Sequence, residues 1–406
     1  MRSVLSTAIT RRSLLAGASM GLMMSGSGSL DSEGPSKPLP LLSQSKLDAI
    51  ESAVNGASIH LRTNELISSL TLEQKVAQLF VLRPEDMLGY GTAIEFGDDL
   101  RAAILDRCVG GFMLSDANFI DPDQTRRLTG GIQESSREAC GLPMLIAADE
   151  EGGTVVRVCD KPAFGLEDPG NMRWVGEWGD VDYAESEGYR IGSYLRDVGV
   201  NVDFAPDADI TYDESSFVYW RSFGGDPELA ADMVGAMVRG FNGAGTLCTP
   251  KHFPGIGNAQ GDSHVESIYL DTPREVLREN ELQPFYAAIG AGTQMIMVGH
   301  LVCTAIDAWA PASMSYAVLT GLLRKEMGYD GVVITDSLGM AAVHERYPQE
   351  DIGVQALRAG CDMLLTPADW YTVYDGIMAA LAEGKLSEKR IDQSVTRIIR
   401  AKLWLG

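Results

Sequence analysis

At 406 residues, 45% of them apolar, the chain is long enough for one large α/β domain or two ordinary ones. A formal charge of −23 argues against nucleic-acid binding, which needs a basic face, and fits a well-solvated surface. The six cysteines, at 108, 140, 159, 248, 303 and 361, are scattered without a C-x-x-C pair, so neither a disulfide framework nor a zinc site is expected.

The N-terminus differs in character from the rest. Met1 to Ser29 carries Arg2 and Arg11-Arg12, then the small and apolar run Ser13 to Met24, with no acidic residue before Asp31. A basic region followed by a short apolar one predicts an export signal, too short to span a bilayer stably. Thr10-Arg11-Arg12-Ser13-Leu14-Leu15 resembles the twin-arginine signal that bacteria use to export folded proteins, with an ordinary secretory signal as the alternative. No cysteine follows the apolar run, so a lipoprotein anchor is not expected. The expected division is therefore an export signal over 1–29, a linker and N-terminal extension over 30–62, rich in Ser, Gly and Pro from Ser25 to Leu42, and one folded domain over 63–406. The expected location is extracytoplasmic, with no stable membrane span once the signal is removed.

From about Asn64 onward, short apolar runs alternate with longer amphipathic stretches. Val76 to Leu82, Val109 to Leu114, Pro143 to Ala148, Val198 to Phe204, Thr246 to Thr249, Met295 to Val302, Gly331 to Thr335 and Asp362 to Leu365 each read as a buried strand. Helical patterns cover Pro122 to Cys140, Ala184 to Val198, Pro227 to Gly243, Pro273 to Ala291, Ser315 to Met327 and Glu350 to Ala359, and Tyr371 to Ala382 and Ser387 to Leu405 close the chain. Repeated strand-then-helix units predict the α/β class and a (β/α)₈ TIM barrel in a single domain. A doubly wound open sheet shares this local pattern, although no G-x-G-x-x-G opens a helix here.

In a barrel, reactive groups belong at the C-terminal ends of the strands. Polar residues collect there: Asp149-Glu150-Glu151-Gly152-Gly153-Thr154-Val155-Val156-Arg157 after the third strand, Asp207-Ala208-Asp209 after the fourth, Gly299-His300 after the sixth and Asp336-Ser337 after the seventh. The densest stretch follows the fifth strand, Lys251-His252-Phe253-Pro254-Gly255-Ile256-Gly257-Asn258-Ala259-Gln260-Gly261-Asp262-Ser263-His264. Its proline and glycines make it a loop, and its charge content does not serve a core. Asp336, at the end of a buried strand, suits a fixed nucleophile, with helix capping as its plainer reading. Asp262 and His264 suit a mobile acid/base pair, with the carboxylate orienting the imidazole. One fixed carboxylate and one acid/base fit double-displacement hydrolysis of a glycosidic bond. Three rivals stand beside it: a serine hydrolase centred on Gly261-Asp262-Ser263, a metal site using His252, His264, His300 and Asp336 without any H-x-H or H-E-x-x-H spacing, and a merely satisfied buried His300.

Lys251-His252-Phe253-Pro254-Gly255-x-Gly257 followed by Asp262-Ser263-His264, with Ile334-Thr335-Asp336-Ser337-Leu338-Gly339-Met340 downstream, resembles the family 3 glycoside hydrolases, in particular the bacterial β-N-acetylhexosaminidases. Asp149-x-Glu151-Gly152-Gly153-x-Val155-x-Arg157 and Phe204-Ala205-Pro206-x-x-Asp209 precede them in the same order, and the likeness runs from about Ser69 to the end. The resemblance implies that Asp336 attacks the anomeric carbon, that His264 paired with Asp262 is the acid/base, and that Asp149, Arg157, Arg221 in Arg221-Ser222-Phe223-Gly224, Lys251 and His252 bind the sugar. Arg157 and Arg221 also read as structural ion-pair partners. The resemblance further implies a small carbohydrate substrate carrying terminal β-linked N-acetylglucosamine, from muropeptides or other extracellular glycans, and neither metal nor organic cofactor. Its alternatives are a β-glucosidase of the same family and a catalytically inactive sugar-binding barrel. The family's β-glucosidases typically draw their acid/base from a second domain; with Gly406 one helix beyond the barrel, none is expected here, and the Asp262-Ser263-His264 loop supplies the group. Ile256 stands where the family often has histidine, and Asn258 to Gly261 depart from its usual spacer.

Overall fold

The computed structural model describes residues 58–259 and 268–406. The expected export signal and most of the linker fall in 1–57, and Asp262 and His264 in 260–267, so these lie outside the described residues. Residues 58–69 are helical, which puts the expected boundary at 62/63 inside a helix rather than at its edge.

Eight short parallel strands form the centre: β1 Phe80–Leu82, β2 Gly111–Met113, β3 Leu145–Ala148, β4 Val202–Asp203, β5 Leu247–Cys248, β6 Met295–Val298, β7 Val332–Thr335 and β8 Leu364–Leu365. Six of them pair in the order β8-β1-β2-β3-β4-β5. The circle closes through β6 and β7, which pair in register from Met295–Val332 to Val298–Thr335. On one side β6 meets the chain just past β5, where the Phe253 amide donates to Met297 O at 2.8 Å and the Met297 amide donates to Pro250 O at 3.1 Å. On the other side Ile334 bridges Met363 beside β8. Helices cover the outside, so the strands are buried on both faces and read as continuous apolar runs rather than alternating ones. This is the (β/α)₈ barrel.

Local chemistry explains which boundaries were legible. The helix Pro122–Cys140 coincides with its predicted span because Asp121 caps it by accepting from the Gln124 amide, Pro122 opens its first turn and left-handed Gly141 closes it. All eight expected strands are longer than the observed ones, and two of them run into other elements. Val76 and Ala77 belong to the helix Leu72–Ala77, whose Thr71/Gln74 capping box ties the segment into a turn of helix before β1 begins. β6 stops at Val298 rather than Val302; Val302–Cys303 forms its own parallel pair with Tyr269–Leu270 beside the barrel. The single helix expected over Pro273 to Ala291 is two, Arg274–Glu279 and Gln283–Gly290. The break buries Glu281, which accepts from Asn258 Nδ2 at 3.1 Å beneath the loop after β5.

At the N-terminal end of the barrel one carboxylate ties two helices to a strand. Asp362, buried just before β8, accepts from Arg324 Nη2 at 2.5 Å, the Val333 amide at 3.0 Å, Ser394 Oγ at 2.8 Å and Arg397 Nη1 at 3.2 Å. Removing it strands guanidinium groups without a counter-charge. Asp362→Ala is expected to lower stability by about 3–5 kcal/mol, read as a shift in the urea midpoint with an unchanged slope.

Candidate active site

The C-terminal ends of the strands open on a cavity of ≈ 750 Å³. Asp149, Arg157, Arg221, Lys251, His252 and Asp336 all line it, together with Glu151, Arg83, Phe217, Ile256, Met340 and Thr366 among others. Six of the eight residues singled out from the sequence therefore meet around one space, and Asp262 and His264 lie outside the described residues.

The cavity wall is a network of buried charges contributed by successive strand ends. After β3, the chain turns back on itself at Gly152 and Gly153, both at positive φ, with the Glu151 amide donating to Val155 O at 2.9 Å. That reversal returns Arg157 to Asp149, Nη2 lying 3.7 Å from Oδ2. Lys251, 3% exposed, reaches from the end of β5 to Asp149 Oδ1 at 2.7 Å and Glu151 Oε1 at 2.6 Å. Arg221 grips Glu151 with two parallel hydrogen bonds of 2.7 and 2.8 Å, and its Nε also lies 3.5 Å from Asp207. Burial works against charge on Glu151, yet Arg221 and Lys251 outweigh it and hold the carboxyl down to about 2. Burial likewise opposes charge on Lys251, but Asp149 and Glu151 raise its pKa above the ordinary value. The expected ion-pair reading of Arg221 is thus physically present alongside its position on the cavity.

His252 is held by Asp209. Its Nδ1 donates to Asp209 Oδ2 at 2.8 Å, which leaves Nε2 to accept from Arg221 Nη2 at 3.4 Å. Burial, followed by the neighbouring Arg221 charge, pushes the imidazole down to about 4, so it is neutral near pH 7. Asp209 also accepts from the Ile256 amide at 2.6 Å, fixing the loop after β5. That loop runs so close to its neighbour that a Cβ on Gly257 would lie 2.1 Å from Ile210 O.

Asp336 follows β7 directly, its amide donating to Val298 O at 2.8 Å, and its Oδ1 accepts from the Ser337 amide at 2.7 Å. The next helix is Ala341–His344 with Met340 at its cap, so the capping role considered for Asp336 does not apply. Burial opposes its charge, but His252, His300, the Ser337 amide and Lys251 together hold the carboxyl below the usual carboxylate value. An ionised oxygen on a rigid strand end, facing an open cavity, has the form of a nucleophile. His300 has both ring nitrogens occupied: Nε2 donates to Ser337 O at 3.0 Å and Nδ1 accepts from Ser313 Oγ at 2.8 Å. It is the satisfied histidine of the plainer reading, and it braces the backbone beside Asp336. Among the described residues one trio, Asp207, Asp209 and His252, has potential ligand atoms within 4.8 Å of one another, but Arg221 already lies against two of its members.

Residues 71–401 match the model of the glycosyl hydrolase family 3 N terminal domain. The chain belongs to glycosyl hydrolase family 3. It is 33% identical to a beta-hexosaminidase A of Pseudoalteromonas piscicida over 72% of this chain and 53% of that protein, so it spans about half the length of that relative. It is 31% identical to the beta-hexosaminidase LpqI of Mycobacterium tuberculosis over 82% of this chain and 83% of the other. Among solved structures, a family 3 beta-N-acetylglucosaminidase from Paenibacillus sp. superposes with a TM-score of 0.77 at 38% identity, over 83% of this chain and 63% of that one. A family 3 glycosyl hydrolase from Mycobacterium smegmatis gives 0.72 at 32% identity, over 82% and 98%.

Among the residues of this family 3 site that were not singled out from the sequence as site residues are Glu151, Asp207, Asp209 and Thr366. The first three carry a signal, since acidic residues at alternating positions after a buried strand point to the same side. Thr366 carries none. Its φ of 37°, costly for a β-branched residue, is visible only in the folded backbone, where its Oγ1 shares a 2.8 Å hydrogen bond with Ser337 Oγ.

The depressed pKa of Glu151 makes a pH prediction. Its folded value, about 2, lies below the ordinary 4.5, so its contribution to stability is present above pH 4.5 and is lost as the pH falls toward 2. Urea titrations across that window are expected to show stability falling with the pH, and Glu151→Gln to flatten the dependence while lowering stability at pH 7.

Proposed function

We propose that this chain is a retaining β-N-acetylhexosaminidase that removes terminal β-linked N-acetylglucosamine. The observation that carries the reading is the convergence of an ionised Asp336 and five charged or polar side chains on one cavity in a family 3 barrel. A volume of ≈ 750 Å³ suits a sugar ring and part of its aglycone. A neutral sugar offers hydroxyl groups, and carboxylates and cations already locked by each other present fixed acceptors and donors to them. Relatives called beta-hexosaminidase and beta-N-acetylglucosaminidase, at 31 to 38% identity, direct the choice toward the N-acetylated sugar.

In this reading Asp336 Oδ attacks the anomeric carbon as the bond to the leaving oxygen breaks, giving a covalent glycosyl-enzyme with inverted configuration. His264, oriented by Asp262, protonates the departing oxygen, then takes a proton from the water that releases the sugar and restores the original configuration. The segment carrying both begins one residue after Ala259, three positions past the cavity-lining Ile256, and returns at Ile268, whose carbonyl accepts from the Val302 amide at 2.9 Å. The nearness of the segment's start to Ile256 supports delivery of the imidazole to the cavity. Export by a twin-arginine route belongs to the same proposal, with extracellular or cell-wall-derived glycans as substrates; among the described residues no helix is long and apolar enough to cross a membrane.

The purified protein is expected to release nitrophenol from its β-N-acetylglucosaminide much faster than from the β-glucoside; an equal or faster glucosidase rate would overturn the substrate assignment. Asp336→Ala should lower kcat at least ~10³-fold while sugar affinity persists. His264→Ala should cost ~10²- to 10⁴-fold on aglycones that are poor leaving groups and far less on dinitrophenyl ones, because only the former need the proton. Binding without turnover in the unaltered protein would favour the inactive sugar-binding barrel.

A further inference from the structure

Two of the six scattered cysteines meet at the N-terminal end of the barrel, opposite the cavity. Cys108 lies in the turn between the helix Asp98–Asp106 and β2, and Cys140 is the last residue of the helix Pro122–Cys140 that leads into β3. Their sulfurs are 2.6 Å apart. Non-bonded heavy atoms prefer separations of about 3.5–4.0 Å, and a disulfide bond is about 2.05 Å, so this pair sits far inside packing contact and a short approach from a bond. No other two cysteine sulfurs make contact among the described residues.

The surroundings favour a reactive thiolate. Ser136 supplies a carbonyl that accepts from Cys140 Sγ at 3.4 Å and a hydroxyl 3.4 Å from Cys108 Sγ. The Gln78 amide points at both sulfurs, at 3.9 and 3.8 Å, and its oxygen accepts from Lys402 Nζ at 2.6 Å. Lys402 is 1% exposed, and among the described residues no carboxylate forms an ion pair with it; burial lowers its pKa, and the two thiols are the groups that oppose that by favouring its charge. Hydrogen bonding from Cys108 in the first place lowers the Cys140 thiol to about 6, against the cost of burial and with help from Lys402. The same contact, with burial, raises Cys108. Cys140 is also the more accessible, half-buried where Cys108 is buried.

We propose that Cys108 and Cys140 close to a disulfide staple by exchange with a low-molecular-weight disulfide. The Cys140 thiolate attacks one sulfur of the small disulfide, forming a mixed disulfide and expelling the first thiolate. Cys108 then gives up its proton, attacks the Cys140 sulfur and expels the second thiolate. The cysteine pair loses two electrons and the small disulfide gains them, leaving as two thiols. The staple joins the approaches to β2 and β3 across a sequence separation of 32 residues and touches none of the groups around the cavity.

The full chain, purified in reductant and then held in either oxidised glutathione or dithiothreitol, is denatured in iodoacetamide, digested and analysed by mass spectrometry. The oxidised sample is expected to yield one cross-linked peptide joining Cys108 to Cys140, with the other four cysteines alkylated. Its melting temperature should exceed that of the reduced sample by about 5 °C. Cys140→Ser and Cys108→Ser should each lose both the cross-link and the shift while hydrolysing the nitrophenyl substrate at the unaltered rate. Full alkylation of both cysteines after oxidation, a glutathione adduct that persists on Cys140, or identical melting of the two samples would overturn the staple.

Discussion

The barrel mouth depends on charges that are buried together. Lys251, Glu151 and Arg221 lie almost out of water, and each has a partner that would be expensive to lose: Lys251 holds two carboxylates, Glu151 holds two cations, and Arg221 spans Glu151, Asp207 and His252. Desolvating such groups costs several kcal/mol apiece unless geometry repays it. Here the geometry comes from three strand ends, β3, β4 and β5, held in register by backbone pairing. A rigid parallel sheet makes the network possible, and the network in turn presents fixed donors and acceptors to the cavity.

The two ends of the barrel use ionic groups differently. At the N-terminal end, Asp362 takes its hydrogen bonds from Arg324, Ser394, Arg397 and a strand amide, all inside the structure, so its charge binds helices to the strand. At the C-terminal end, Asp336 has one short bond to the adjacent amide and otherwise faces open space. The surrounding imidazoles, Ser337 amide and Lys251 keep it ionised without covering it. That difference separates a carboxylate that holds the fold from one available for chemistry.

Support for Asp336 comes from further out. His300, with no free ring nitrogen, ties the Ser337 carbonyl to Ser313, and Asp209 ties both His252 and the Ile256 amide. Glu281, in the break between two helices, holds Asn258 from below. Each is buried and polar and has at least one partner in a neighbouring element, and together they fix the loop after β5 against β4 and β6.

Much of this was legible in the chain. Eight apolar runs without alternation specify strands covered on both faces, and parallel strands of that kind with helices between them close naturally into a barrel; Asp121, Pro122 and Gly141 set a helix's limits by local hydrogen bonding and backbone preference alone. Asp336 could be picked out because strand ends in such a barrel share one rim, and Asp149, Arg157, Lys251 and His252 stand in stretches on that rim whose sugar-binding role the family resemblance implied. Local sequence could not say that Val76 belongs to a helix rather than β1, that Glu281 interrupts a helix to support a loop, that Thr366 sits at positive φ, or that Cys108 and Cys140 touch. Periodicity and capping act over a few residues and are written in order along the chain. Which charge neutralises which, and which sulfur meets which, is decided by closure of the barrel, where burial forces each polar group to find a partner brought from far away in sequence.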